Sequence, residues 1–289
     1  MTPSGTSLCD VVNYGNKSQL DVFEPVSVEE VATMIRKSPS KQCPLDPMPT
    51  WLLKNVCEYI APIIASMCNA SILQNRFPAN QKSAIVRPLL KKSNLNRTDL
   101  NSFRPISNLS FVSKLLERTI DSWFTHHAVS HNLFSQVQSA YRKYHSTETA
   151  LVKIHNDIVT SIDRGHVGAL ALLDLSSAFD TVDQQLLLHI LHYRFCVTDL
   201  ALAWFQSYLT DRAHVIAVNG QSSKVVKSSH GVPQGSVLGP KKFIAYTEDI
   251  DTIFHSHELH HHCFADDTQM YISTPRTEAH NRTTPTEVH

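Results

Sequence analysis

Two aspartates stand side by side in the stretch His261-His262-Cys263-Phe264-Ala265-Asp266-Asp267-Thr268-Gln269-Met270-Tyr271-Ile272. Short apolar runs flank them and read as the arms of a β-hairpin. Adjacent carboxylates repel and gain nothing structurally unless a cation or solvent lies between them. A tight hairpin presenting them is therefore a candidate divalent-metal site, with a plain polar turn as the alternative. A third carboxylate, Asp174, ends the nearly unbroken apolar run Ala169-Leu170-Ala171-Leu172-Leu173. That run reads as a strand buried on both faces, and a carboxylate at its end is costly to bury unless paired or metal-bound. Metal-assisted phosphoryl transfer needs carboxylates from separate elements converging on two cations ~3.5–4 Å apart. Such chemistry requires the strand and the hairpin to be neighbours in one sheet.

Other residues compete for chemical roles. Asp180 and Asp183 precede an apolar helix carrying Leu186, Leu187, Ile190, Leu191 and Phe195, so capping explains both better than metal binding does. The histidines at 255, 257, 260, 261 and 262 lack the paired spacing of a structural zinc site. The segment 229–240 is dense in glycine (Gly231, Gly235, Gly239), which permits close backbone approach to a ligand as well as simple turning. Arg104 lies in Phe103-Arg104-Pro105-Ile106-Ser107, and its planar fork suits phosphate, although pairing with a nearby acid is the alternative.

Elements that must position these groups can be read along the chain. Ser27-Val28-Glu29-Glu30 is a capping box opening a helix with Val31, Met34 and Ile35 on one face. A proline-punctuated loop leads to a longer helical pattern from Trp51 to Met67, which Pro62 should kink or split. Ile85-Val86-Arg87-Pro88-Leu89-Leu90 reads as a strand ending in the basic pair Lys91-Lys92, and the Arg104 segment follows as a second strand. A helix then buries Phe111, Leu115, Leu116, Ile120, Trp123 and Phe124. After a polar, basic loop over 135–146, Ser146 caps another helix with the stripe Leu151, Ile154, Ile158, Ile162. Both stripes read as core.

Composition sets outer bounds. The 289-residue chain has ordinary apolar content, long enough for one large or two modest domains. Six cysteines without any C-x-x-C spacing suit reduced thiols and an intracellular protein, nucleus and cytoplasm being equally compatible. No apolar run approaches the ~20 residues of a membrane span, and the first residues are neither basic nor apolar, so neither a membrane nor a secretory signal is expected. The formal net charge is zero, but its distribution is uneven. From Lys82 to Arg118 eight basic residues face only Asp99 and Glu117, whereas from Lys241 onward eight carboxylates outnumber four cations. A chain that grips phosphates in one place and metal in another fits this pattern, as does a solvated charged face.

Taken in order, the strand ending in Asp174, Ala178-Phe179 beyond it, Gly231-Val232-Pro233-Gln234-Gly235, and Phe264-Ala265-Asp266-Asp267 resemble the polymerase core of reverse transcriptases. The form of the acidic pair is most similar to that of non-LTR (LINE-like) retrotransposons. The resemblance implies an α+β fold of the right-hand polymerase type, with fingers and palm around a central antiparallel sheet. It implies a helical N-terminal extension over 1–80, fingers over 81–166, a palm over 167–273 and an unstructured tail over 274–289, with the thumb absent. It implies an RNA-directed DNA polymerase that uses two Mg2+ ions (Mn2+ possible), an RNA template, a DNA primer and deoxynucleoside triphosphates; protein partners are left open.

Residue roles follow from the same resemblance. Asp174 and Asp266 are the main metal ligands, with Asp267 less direct. Lys91 and Arg104 belong to the basic segments that hold the triphosphate and the template backbone. Phe179 lies beneath the incoming sugar, where it would clash with a ribose 2′-hydroxyl. Gln234 and Gly235 touch the nucleotide and template base, and the loop Gln138-Ser139-Ala140-Tyr141-Arg142-Lys143 contacts template. Three features depart from the family pattern: Lys241-Lys242 in place of an apolar pair, Glu248 in place of asparagine, and a polar end after Ser273. They suggest a truncated copy, and a catalytically dead nucleic-acid-binding remnant is the alternative. A metal-dependent nuclease explains neither Phe179 nor the glycine-dense segment.

Overall fold

The computed structural model describes residues 18–175 and 178–276. In chain order its principal elements are α1 (Val28–Lys37), α2 (Thr50–Asn55), α3 (Cys57–Leu73), β1 (Ser83–Leu90), β2 (Phe103–Asn108), α4 (Phe111–Ser130), α5 (Thr147–Asp163) and β3 (His166–Asp174). There follow α6 (Gln184–Tyr193), α7 (Asp199–Leu209), β4 (Arg212–Val218), β5 (Gln221–Ser222), β6 (Val226–Ser228), α8 (Gly239–Tyr246), α9 (Ile250–Ser256), β7 (His260–Phe264) and β8 (Asp267–Pro275). The chain is thus mixed α+β. It divides into two compact units that alternate along the sequence.

The first unit gathers the described residues up to Ser83 with Ser110–Leu133 and Gln184–Ala213, and it is helical. Ser27 and Glu30 form the expected capping box at α1. The chain breaks between α2 and α3 at Val56, whereas α3 runs on through Pro62, so the sequence-based break point is displaced by six residues. Ala61, Ile64, Ala65 and Cys68 are buried along α3, and that packing holds the helix where one backbone bond is lost. The core is aromatic: Phe23, Phe77, Trp204, Phe205 and Tyr208 meet edge-to-face or stacked, with Trp204 on Tyr208 at 5.6 Å. Arg212 is buried over the Tyr208 ring at 4.8 Å and donates to Tyr208 O at 3.0 Å.

Three of the eight cations in the basic stretch serve this unit. Lys82 is buried and donates to Thr210 O at 3.1 Å, Arg118 donates to Ser38 Oγ, and Lys114 is close enough to Asp46 to favour its charged form. The other five, Arg87, Lys91, Lys92, Arg97 and Arg104, are exposed within Ala84–Leu109 of the second unit.

The second unit comprises Ala84–Leu109, Phe134–Asp183 and the described chain from His214 onward. It contains two sheets. One has the order β2-β1-β4-β5, with β6 also on β4; the other is antiparallel, with the order β3-β8-β7. Ser146 caps α5 as expected. Of the α5 stripe, Ile154 is buried and Ile158 is half-buried, whereas Leu151 and Ile162 are exposed, which corrects the reading of the whole stripe as core. β3 is likewise not buried on both faces: Val167, Leu170, Leu172 and Leu173 are exposed, Leu172 at 73%. Exposed residues fall on both faces of the strand, and among the described residues β3 pairs only with β8 and forms an edge of its sheet.

Candidate active site

The three aspartates meet at one end of the β3-β8-β7 sheet. β8 is the central strand, and the antiparallel register sets Asp174 directly opposite Asp267. On its other side β8 pairs with β7 down to Phe264 opposite Asp267, leaving Ala265-Asp266 as a two-residue loop. The adjacency required of strand and hairpin is therefore met. Opposed residues in an antiparallel pair have Cα atoms about 4.5–5.5 Å apart, so all three carboxylates share one small region. Partial burial, then the charges of Asp266 and Asp174, push the Asp267 carboxyl above the usual aspartate range; Arg104 opposes this. Arg104, exposed on β2 opposite Leu89, is thus within electrostatic reach of the aspartates.

The donor set suits a hard divalent cation, since it is all carboxylate oxygen and its members repel one another. Among the described residues no group of three or more His, Cys, Asp or Glu side chains already converges on one point. Like charges at this range spread unless a cation draws them in. The described histidines form no such group either, and their roles are local. His261 Nε2 lies 3.3 Å from Asp251 Oδ1, and His262 Nε2 is 2.8 Å from Ser139 Oγ. Burial lowers the pKa of both.

The glycine-dense segment is tied to two neighbours of the aspartates. Gly231 N–H donates to Val182 O at 2.8 Å and Val232 N–H to Phe179 O at 2.9 Å, fastening the segment along the turn after β3. A Cβ on Gly231 would stand 3.0 Å from both Phe179 O and Asp180 O. Ser107 N–H donates to Gln234 O at 2.8 Å, so Gln234 and Gly235 lie against β2, the strand of Arg104. Gly235 has φ +119, and a Cβ there would come within 2.6 Å of Ser107 O. Only glycine fits, because of the close approach as well as the turn.

Phe179 is half-buried and stacks on Phe243 of α8, with centroids 4.9 Å apart. Lys91 stands exposed beyond β1, its N–H donating to Ser102 O at 2.9 Å. Asp183 sits immediately before α6, the capping position expected of it, whereas Asp180 is too far upstream to cap. Lys242 is 1% exposed, so half of the unexpected lysine pair is buried in α8.

Sequence reasoning assigned Gln138 to template contact along with its whole loop. Its side chain reaches the hairpin and hydrogen-bonds the backbone of Ala265. Tyr141, three residues on, is close enough to Asp266 for that carboxylate to raise its pKa, after burial. No spacing in the sequence signals either contact, because each joins segments more than a hundred residues apart.

A family model described as reverse transcriptase (RNA-dependent DNA polymerase) matches residues 89–286. The RNA-directed DNA polymerase from mobile element jockey of Drosophila melanogaster is 28% identical over 250 residues, covering 85% of this chain and 27% of that protein. The probable RNA-directed DNA polymerases from transposon BS and transposon X-element, also of Drosophila melanogaster, are 28% and 29% identical, each covering 79% of this chain and 25% of the relative. The chain spans about a quarter of the length of these curated relatives. With more than half of its residues matched by the family model, the chain belongs to the reverse transcriptase family.

Proposed function

We propose that the second unit carries RNA-directed DNA synthesis, with Asp174, Asp266 and Asp267 holding two Mg2+ ions, or Mn2+ in their place. The observation that carries this reading is the register of β3 on β8, which sets Asp174 opposite Asp267 and beside Asp266. In the reaction the primer 3′-hydroxyl oxygen bonds to the α-phosphorus of a deoxynucleoside triphosphate. The bond to pyrophosphate breaks, and the hydroxyl proton passes to solvent. When bound, the ions supply Lewis-acid activation and neutralise charge on the leaving group. Arg104 and Lys91 hold the triphosphate and the template backbone, Arg104 by its fork and Lys91 as a point charge. The five exposed cations of Ala84–Leu109, against the single carboxylate Asp99, give that segment the electrostatics of a phosphate-gripping finger.

Phe179, braced by Phe243, lies under the incoming sugar and excludes a 2′-hydroxyl. Gln234 and Gly235 bring backbone up to the nucleotide and template base, since their segment is anchored to the strand of Arg104. Fingers over 81–166 and a palm over 167–273, behind a helical extension over 1–80, complete the reading. A second reading, nucleic-acid binding without synthesis, has one observation in its favour. Lys242, 1% exposed and next to the Phe243 that stacks on Phe179, stands where the family pattern has an apolar residue.

Primer extension on a DNA-primed RNA template, with Mg2+ and the four deoxynucleotides, separates the two. Extension by the wild type and none by Asp266→Ala supports synthesis. No extension by either, with primer–template still retarded in a gel shift, supports binding alone.

A further inference from the structure

Gln138 is 6% exposed, and its loop runs alongside the catalytic hairpin. Cys263 N–H donates to Val137 O at 2.8 Å, and Ser139 N–H donates to Cys263 O at 2.9 Å, so residues 137–139 extend β7 on its free side. From that anchor the Gln138 side chain takes both polar backbone groups of one turn residue. Ala265 N–H donates to Oε1 at 2.9 Å, and Nε2 donates to Ala265 O at 3.2 Å. Oε1 also accepts from Ala140 N–H at 3.0 Å. Two N–H groups on one oxygen and a carbonyl on the nitrogen fix the orientation of the amide, because the flipped form would set donor against donor.

Ala265 needs such a hold. It opens the two-residue loop with φ +58, and Asp266 is not at positive φ. That is the pattern of a type II′ turn, whose first position glycine ordinarily fills. An L-residue there persists only where its surroundings over-determine it.

We infer that Gln138 is a positioning residue for nucleotidyl transfer: its amide holds Ala265 in the turn and thereby fixes where Asp266 and Asp267 point. The inference rests on the reading that these carboxylates hold the metal ions. It differs from template contact, because the amide is spent on backbone, is buried, and is indifferent to the side chain at 265. It also means that glycine at 265, which adopts the turn without strain, lessens the need for Gln138.

The test is a double-mutant cycle in the full chain. Gln138→Ala should lower the single-turnover rate of nucleotide incorporation about tenfold or more. Dissociation constants for dNTP and primer–template should stay within about twofold. Adding Ala265→Gly to Gln138→Ala should recover about threefold or more of the lost rate. Lost primer–template affinity at an unchanged rate, or an additive penalty from Ala265→Gly, overturns the inference in favour of template contact. Should Gln138→Ala not fold, Gln138→Glu keeps the acceptor but sets an oxygen against Ala265 O, and the same cycle applies. Hydrogen exchange of the Ala265 amide reads the clamp without activity. It should be slow in wild type and about tenfold faster in Gln138→Ala, with Cys263 still protected. If no variant extends a primer, the proposed function falls while the exchange still decides the clamp; equal exchange in both proteins overturns it.

Discussion

Asp267 faces Asp174 across a strand pair, with Asp266 beside it, and its carboxyl is held above the usual aspartate range. An acid whose folded-state pKa lies above its unfolded value binds more protons folded than unfolded. Stability is therefore lost as pH rises from about 4, the ordinary aspartate value, through the folded-state value. In chelator, the melting temperature of wild type relative to Asp267→Asn should fall as pH rises through this range, and Mg2+ should offset that difference. Gly235→Ala is predicted to destabilise by about 2–4 kcal/mol, because the new Cβ meets backbone at 2.6 Å in a conformation that L-residues avoid. Urea unfolding measures that loss. The aspartates were legible in the sequence since their motif is short and local. The Ala265–Gln138 pair was not, because a side-chain amide on a distant backbone leaves no periodicity to read.

At the scale of elements, the sequence distinguishes kind better than burial. The capping boxes at Ser27 and Ser146 and the β1–β2 and β7–β8 pairs lie where local pattern puts them. β3 differs because an unbroken apolar run has the same composition on an edge as in the middle of a sheet. An exposed apolar edge strand is a template for pairing with another chain. Leu172→Lys is therefore expected to reduce light scattering on concentration and to leave unfolding free energy within about 0.5 kcal/mol of wild type. More scattering from the variant would show that the edge is not what associates. The helix breaks at Val56 and not at Pro62 for a different reason: Pro62 is a strong local signal, but burial along α3 overrides it.

On the whole-molecule scale, buried histidines in both units tie stability to acid. His127 of α4, with Nε2–H donating to Phe195 O at 2.7 Å, has its pKa lowered by burial, as do His261 and His262. The unfolded chain takes up these protons first, so stability is lost as pH falls below about 6.5. The urea midpoint should drop between about pH 7.5 and 5.5, and His127→Gln, which keeps a donor for Phe195 O, should blunt the drop. No helix among the described residues is long and apolar enough to cross a membrane. The alternation of the two units was invisible in the sequence, since each is assembled from segments with no shared composition.

That alternation governs how the protein can be made. Its six segments belong by turns to one unit and the other, so the helical unit lacks a part until residue 213 has left the ribosome. The second unit waits longer still, for β8 supplies the partner of β3 almost a hundred residues after Asp174 is synthesised. During that interval the strand ending in Asp174 lacks its one strand partner among the described residues, which exposes it to mispairing. No single cleavage releases both units intact. A gene copy shortened at either end loses more than the residues it drops, because what remains is left holding one side of a pairing.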